Sequence, residues 1–236
     1  MESRQSQAQP EAKAEAKADQ QQILQFMIAE HTSLQSARSS TIFEANGRIG
    51  LYFGAISSII VALAFIGQAS DMGDAFLLFS LILLPPLFFM GLVTFGRMLD
   101  VLVEDLVYAR GINRIRHYYL EIAPQMRPYF IQSANDDVWG AARNTAVNPT
   151  FYQYFLTASG LVSVVNGVIG GVVIALFATR FLNTAQPVTI GLGIVGFVIL
   201  VALHMRAQSR RFESAYAQFD TLFPSKTTPE GEHTEA

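Results

Sequence analysis

The stretch Leu156–Phe177, LTASGLVSVVNGVIGGVVIALF, constrains this chain more than any other. It carries no charge over 22 residues. As a helix that length reaches about 33 Å, enough to cross a hydrocarbon core of about 30 Å. Ser159, Ser163, Gly167, Gly171 and Ala175 recur at every fourth position. That spacing places them on one helix face, a strip where another backbone can come close. The stretch reads as a membrane-spanning, helix-packing segment.

Three more apolar blocks share its character. The chain is 51% hydrophobic and only 15% charged, against about 25% charged in soluble domains. The deficit is local: charges are missing from long blocks and crowded between them. We place spans at about 49–67, 75–96, 154–179 and 187–205. In the first, Gly50, Gly54, Ser58 and Ala62 form a second small-residue strip. The second is rich in Phe and Leu and holds Pro85 and Pro86 at its centre, where missing backbone donors predict a kink. Only Gln68–Asp74 and Asn183–Gln186 separate the members of each pair, which predicts two tight hairpins. The expected fold is all-α: an integral membrane helical bundle, four transmembrane helices in two hairpins with cytoplasmic helical extensions.

The flanks complete the plan. Residues 1–22 are Gln, Ala, Glu and Lys with little apolar bulk, which predicts a disordered or weakly helical tail and no cleavable signal peptide. From Ile23 to Arg48 a partial apolar face of Ile23, Phe26, Met27, Leu34, Ile42 and Phe43 predicts a long helix entering the membrane. Glu44 and Arg48 stand one turn apart and can pair. The segment 97–153 is amphipathic and charged, with Gly111 as a bend and Pro124, Pro128 and Asn148-Pro149 as boundaries. After His204 a helical arm continues with Phe212, Tyr216, Phe219 and Phe223 on one face, up to Pro224. Residues 225–236 read as a disordered acidic end.

Basic residues set the orientation. The first hairpin turn has no Lys or Arg and the second has only Arg180. The middle segment has six arginines, five basic residues precede the first span, and four follow the last. Both termini and the middle segment are therefore expected in the cytoplasm of a cell whose plasma (inner) membrane holds the spans.

No pattern specifies a reaction. The chain has no cysteine, which excludes disulfides, thiolate metal sites and a cysteine nucleophile. His31, His117, His204 and His233 are too scattered to make a helical metal pair. We expect no catalytic residue, cofactor or metal. Gly191, Gly193 and Gly196 match GxGxxG, and Glu213 lies about 20 residues on. The fingerprint requires a strand–turn–helix, whereas these glycines sit inside an uninterrupted apolar span, where glycine marks helix contacts. A net charge of −3 gives no reason to expect nucleic acid.

Two places remain for ligands. Asn166, with Ser159 and Ser163, is polar inside a span. An interhelical hydrogen bond is preferred there over a pore lining. In the middle segment Arg110, Arg114, Arg116 and Arg127 alternate with Tyr108, His117, Tyr118, Tyr119 and Tyr129. Arginine forks bind phosphate and tyrosines stack on bases, so Arg110, Arg114, Arg116, His117 and Tyr118 are the candidates for a small phosphorylated ligand. The competing reading pairs these arginines with Glu104, Asp105, Glu121, Asp136 and Asp137, or rests them on anionic lipid. Six acids against six arginines favour it. Asp100 and Glu104 could ring a cation path in an oligomer, or meet Arg48, Arg206 or Arg210.

The run FMIAEHTSLQSARSSTIFEANGR (residues 26–48) leading into an uncharged span resembles small bacterial multi-pass membrane proteins of uncharacterised function. The helix, hairpin and following cytoplasmic helix also resemble SLATT-type effector modules, which accompany bacterial nucleotide-signalling defence systems. The resemblance covers one hairpin and its flanks, and the second hairpin departs from that two-span plan. No functional residue is carried over from it, and the leading expectation is a non-enzymatic, self-associating four-span membrane protein whose cytoplasmic helices sense a ligand or partner and bias the membrane part as an ion-conducting effector. The alternatives are an anchor or scaffold without a pore and, third, a membrane enzyme acting on lipid.

Overall fold

The computed structural model describes residues 2–144 and 151–225. The described residues are 87% helical, and no strand occurs among them. The helices are α1 (Glu2–Ala69), α2 (Asp74–Ile122), α3 (Val138–Arg143), α4 (Phe151–Leu156), α5 (Ala158–Leu182) and α6 (Gln186–Ala217), with a 3-10 turn at Pro124–Tyr129. Four of them, α1, α2, α5 and α6, are long and apolar enough to cross a membrane. The protein is an all-α helical membrane bundle.

Each helix boundary has a local cause. Between α1 and α2, Asp71 and Met72 take left-handed backbone, and the Gly73 amide donates to the Ser70 carbonyl at 2.9 Å. Asn183, also left-handed, ends α5, and α6 restarts with Pro187 in its first turn, where its missing N–H costs nothing. The third span starts later than its composition implies. Thr157 breaks the helix after α4, and its side chain accepts the Gly160 amide as an N-cap. α2 runs unbroken through Pro85 and Pro86.

Two flanking expectations change. The N-terminal segment is helix from Glu2 and continuous with the first span, with Pro10 inside it; Ala, Gln, Glu and Lys, which make up most of it, are strong helix formers. The C-terminal arm stops being helical at Ala217, before Phe219 and Phe223. The acidic end beyond Ser225 and the Asn148-Pro149 boundary lie outside the described residues.

The chain divides into two compact units. The membrane unit comprises Thr41–Asp105 and Ala146–Asp220. Its core joins Ala45 and Tyr52 of α1, Leu84, Leu87, Phe95, Met98 and Leu99 of α2, and Val162 and Ile169 of α5. Among the four spans α5 is the most enclosed, with 44% of its apolar window buried, against 6% for α1. The polar unit comprises Met1–Ser40, Leu106–Thr145 and Thr221–Ala236. Leu106, Ala109, Ile112 and Ile115 of α2 are buried in it. Gly111 serves close approach here rather than a bend: a Cβ on it would stand 2.9 Å from Leu34 Cδ1 of α1. The apolar face expected before the first span is mostly open, with Phe26 and Phe43 exposed.

Candidate functional site

The candidate ligand residues lie on the part of α2 inside the polar unit. Arg110, Asn113, Arg114 and His117 recur every three or four residues and therefore share a face. Two segments lie against that face. One is 132–137, between the 3-10 turn and α3. The other is 221–225, where the chain has left the helix and its amides are free to bond elsewhere.

Asp136 joins the three. It is fully buried. Its carboxylate accepts Arg114 Nε at 2.7 Å, the Leu222 amide at 3.1 Å and the Phe223 amide at 2.8 Å. Burial pushes the Asp136 carboxyl pKa up, but these three donors outweigh it and hold the pKa below the ordinary value. Asp137 repeats the arrangement one residue on. It caps α3 through the Gly140 amide at 2.7 Å and accepts the Ser225 amide and hydroxyl, both at 2.8 Å. The His117 ring stacks on Phe223 with centroids 3.7 Å apart. Two adjacent acids thus pin the C-terminal strap by its backbone.

Arg116 points to a different set. It is 8% exposed and donates to Asn113 Oδ1 at 2.8 Å, to the Ser133 carbonyl at 3.2 Å and to Gln132 Oε1. All three acceptors are neutral. Burial first, and then the nearby Arg38 charge, lower its pKa from the usual arginine value. Asn113 also donates to the Asn135 carbonyl at 2.7 Å and accepts Asn144 at 2.8 Å. Arg110 is buried and reaches Thr221 Oγ1 at 3.3 Å.

Of the five ligand candidates, the structure therefore brings Arg110, Arg114, Arg116 and His117 into one closed network, while Tyr118 is half-buried and outside it. The network binds its own chain: Arg114 is neutralised by Asp136, and the Arg116 fork is filled by amides and a carbonyl. Sequence reading named Asp136 and Asp137 only as counter-charges and missed their capture of backbone amides at 222–225. An Asp-Asp pair just before a short helix is the one available signal, since Asp at an N-cap holds amides.

In the membrane unit the two small-residue strips part company. Ser159, Ser163, Asn166, Gly167 and Gly171 are all buried. A Cβ on Gly171 would stand 2.6 Å from the Gly193 carbonyl oxygen of α6, and one on Gly167 would stand 2.7 Å from Val201. Gly193, from the GxGxxG match, is thus a helix contact. Asn166 Oδ1 accepts the Tyr52 hydroxyl at 3.1 Å, tying α1 to α5, and Gly91 of α2 leaves room for that amide. Gly50, Gly54 and Ser58, expected as packing positions, are exposed. A Cβ on Gly50 or Gly54 would meet nothing within 4 Å. Tyr52 turns inward to Asn166, and residues two positions away lie about 200° round the helix, facing out.

Acid–arginine contacts fill the charged ends of the spans. Arg97 holds both Glu44, at 3.0 Å, and Glu104, at 2.7 Å, and Arg211 meets Asp100 at 2.9 Å. Asp100 and Glu104 thus each meet an arginine. Glu44 also accepts Arg48 at 2.9 Å. No group of three metal-ligating side chains occurs among the described residues. Comparison with known proteins found no matching family model, no matching curated protein and no matching solved structure.

Proposed function

We propose that this chain is a non-enzymatic, self-associating integral membrane protein of the plasma (inner) membrane. Its termini and polar unit face the cytoplasm, and that unit acts as a latch. The observation that carries self-association is the outward strip on α1. Gly47, Gly50 and Gly54 have open space where a Cβ would stand, on the span least covered by its own chain. Lipid chains gain little from a glycine surface, whereas a second helix packs closely on it. The orientation rests on the basic residues of 97–153 and both ends.

Tyr52, Phe95, Val162 and Ile169 fill the interior of the membrane unit. In this reading an ion path runs between copies, as in an effector pore, and without such a path the assembly is an anchor or scaffold. Arg116, whose acceptors among the described residues are all neutral, is the place where a small phosphorylated ligand would gain most, by replacing Gln132 and loosening the latch.

The test uses the absence of native cysteine. Gly54→Cys in native membranes should give a disulfide-linked dimer on mild oxidation. Gly171→Cys, facing α6, should not. A monomer for Gly54→Cys overturns self-association through α1. Planar-bilayer recording of the purified protein then separates pore from scaffold. A thermal shift with cyclic nucleotides, lost in Arg116→Gln, supports the ligand reading, and no shift removes it.

A further inference from the structure

We infer that the α5–α6 seam of the membrane unit binds a short file of water, reaching from Gln208 to Asn166. Five polar side chains line it. Ser163, Asn166 and Gln208 are fully buried, Ser159 is 2% exposed and His204 5%. The helices run antiparallel, with Gly167 against Val201 and Gly170 against Leu200. One turn further on, the register sets Ser163 level with His204, and another turn sets Ser159 level with Gln208. Phe95 of α2 meets the His204 ring at 4.5 Å between centroids. One turn away on the same helix, Gly91 lies against Asn166.

The hydrogen-bond chemistry selects the ligand. His204 Nδ1 lies 2.6 Å from the Leu200 carbonyl oxygen, which can only accept. The ring proton is therefore on Nδ1, and in neutral histidine Nε2 is a bare acceptor. The Thr157 hydroxyl donates to the Tyr154 carbonyl at 2.8 Å, so the Gln208 contact to it at 3.3 Å uses the Gln208 amide nitrogen. Gln208 Oε1 is then an acceptor too. His204 Nε2, Gln208 Oε1, Ser163 Oγ and Asn166 Nδ2 are all buried without a partner among the described residues.

Two acceptors one turn apart cannot bond each other, and each buried orphan is costly within a bilayer. A molecule that donates twice and accepts once or twice satisfies them, with the Asn166 amide as donor at the far end. Water does this. A cation would find no carboxylate among the five lining groups. Ser159 to Asn166 spans about 10 Å along α5, the length of a file of about three waters at hydrogen-bond spacing. The membrane unit thus has a hydrated inlet at its Thr157–Gln208 end, dead-ended at the Tyr52–Asn166 bond.

Water-edited solid-state NMR on protein labelled at histidine nitrogen tests this in bilayers. Magnetisation should pass from water to a ring that disappears in His204→Phe, as quickly as to the other histidines. No transfer to that ring overturns the inference. Ser163→Ala is the second arm and leaves the fold intact. If Ser163 holds water, the substitution should lower Tm by a few degrees and slow transfer to His204. A rise in Tm, the result of deleting a dry orphan, overturns it.

Discussion

The small-residue strips of α5 and α1 share a spacing and differ in surroundings. On α5 the neighbours come within contact of Gly167, Gly170 and Gly171, while on α1 no described residue comes within 4 Å of a Cβ placed on Gly47, Gly50 or Gly54. A period of four small residues therefore encodes a surface that a backbone can approach, not the identity of what approaches it. The α5 strip is consumed inside the protomer. The α1 strip is left over, and its value lies in what a second molecule can do with it. The same contrast of covered and open separates two acid–arginine groups. Asp136 is sealed around Arg114 and two backbone amides, while Glu44 stands open between Arg48 and Arg97.

The largest expected effect comes from filling the covered strip. Gly171→Leu forces a Cβ to within 2.6 Å of the Gly193 carbonyl oxygen, a backbone atom that cannot rotate away. The cost should reach about 3 kcal/mol, the upper range for overpacking. Thermal unfolding of the detergent-extracted protein should show a large fall in Tm. Val172→Leu, a change on the more exposed neighbour, should show little. Equal behaviour of the two would mean that α5 and α6 do not pack through these glycines.

Opening the sealed acid comes next. Asp136→Ala removes three bonds and leaves Arg114 without its carboxylate, with an expected loss of about 2–3 kcal/mol. The sign with pH follows from the depressed pKa of Asp136. Its contribution is complete above the unfolded carboxylate value and is lost as pH falls through the lower, folded value. Wild type and Asp136→Ala should therefore differ most near neutral pH and converge in acid. Limited proteolysis should find the strap after Ala217 released in the variant. A strap that stays protected would show that Asp137 alone holds it.

These outcomes bear on what could be read beforehand. The four spans and both hairpins were legible because uncharged blocks about 20 residues long have few other fates. The α5 strip and the Asn166 interhelical bond were legible for the same reason: a buried amide in a span needs a partner. The closed network at Arg110–His117 was half legible. Charge balance pointed to Asp136 as a partner, but bonds from 222–225 back to Asp136 and Asp137 cross more than 80 residues and leave no periodic trace. His204 and Gln208 stand four apart at the end of an apolar run, a pattern that could have marked them as inward-facing. The open side of α1 could not be read, because periodicity is blind to which of two faces Tyr52 selects.

A smaller effect within the protomer should come from the open strip. A Cβ on Gly54 meets no atom within 4 Å among the described residues, so Gly54→Leu should change protomer stability by no more than about 0.5 kcal/mol. The assembled state should be lost instead, read by native electrophoresis in mild detergent or by single-molecule photobleaching. Retention of the assembly with Gly54→Leu would show that this face meets lipid, and the contrast between the strips would lose its functional meaning.

The smallest effect belongs to Glu44, and it sharpens the comparison most finely. Its side chain is 43% exposed. Hydrogen bonds from Arg97, then from Arg48, hold its carboxyl pKa down to about 2. A depressed value means that its contribution is present at neutral pH and lost as pH falls toward that value. Because the pair stands in solvent, screening and side-chain entropy remove most of what the contact geometry implies. Glu44→Gln should leave Tm unchanged at neutral pH in moderate salt, and its pH profile should follow the wild type down to about pH 4. The same measurement on the assembled protein gives the discriminating result. Glu44 lies one turn before Arg48 and beside the open face that begins at Gly47. If a second copy covers that face, solvent is excluded from the Glu44–Arg97 pair and Glu44→Gln should destabilise the assembly while leaving the monomer unaffected. Identical curves in both states would place the contact further along α1, at Gly54 and beyond.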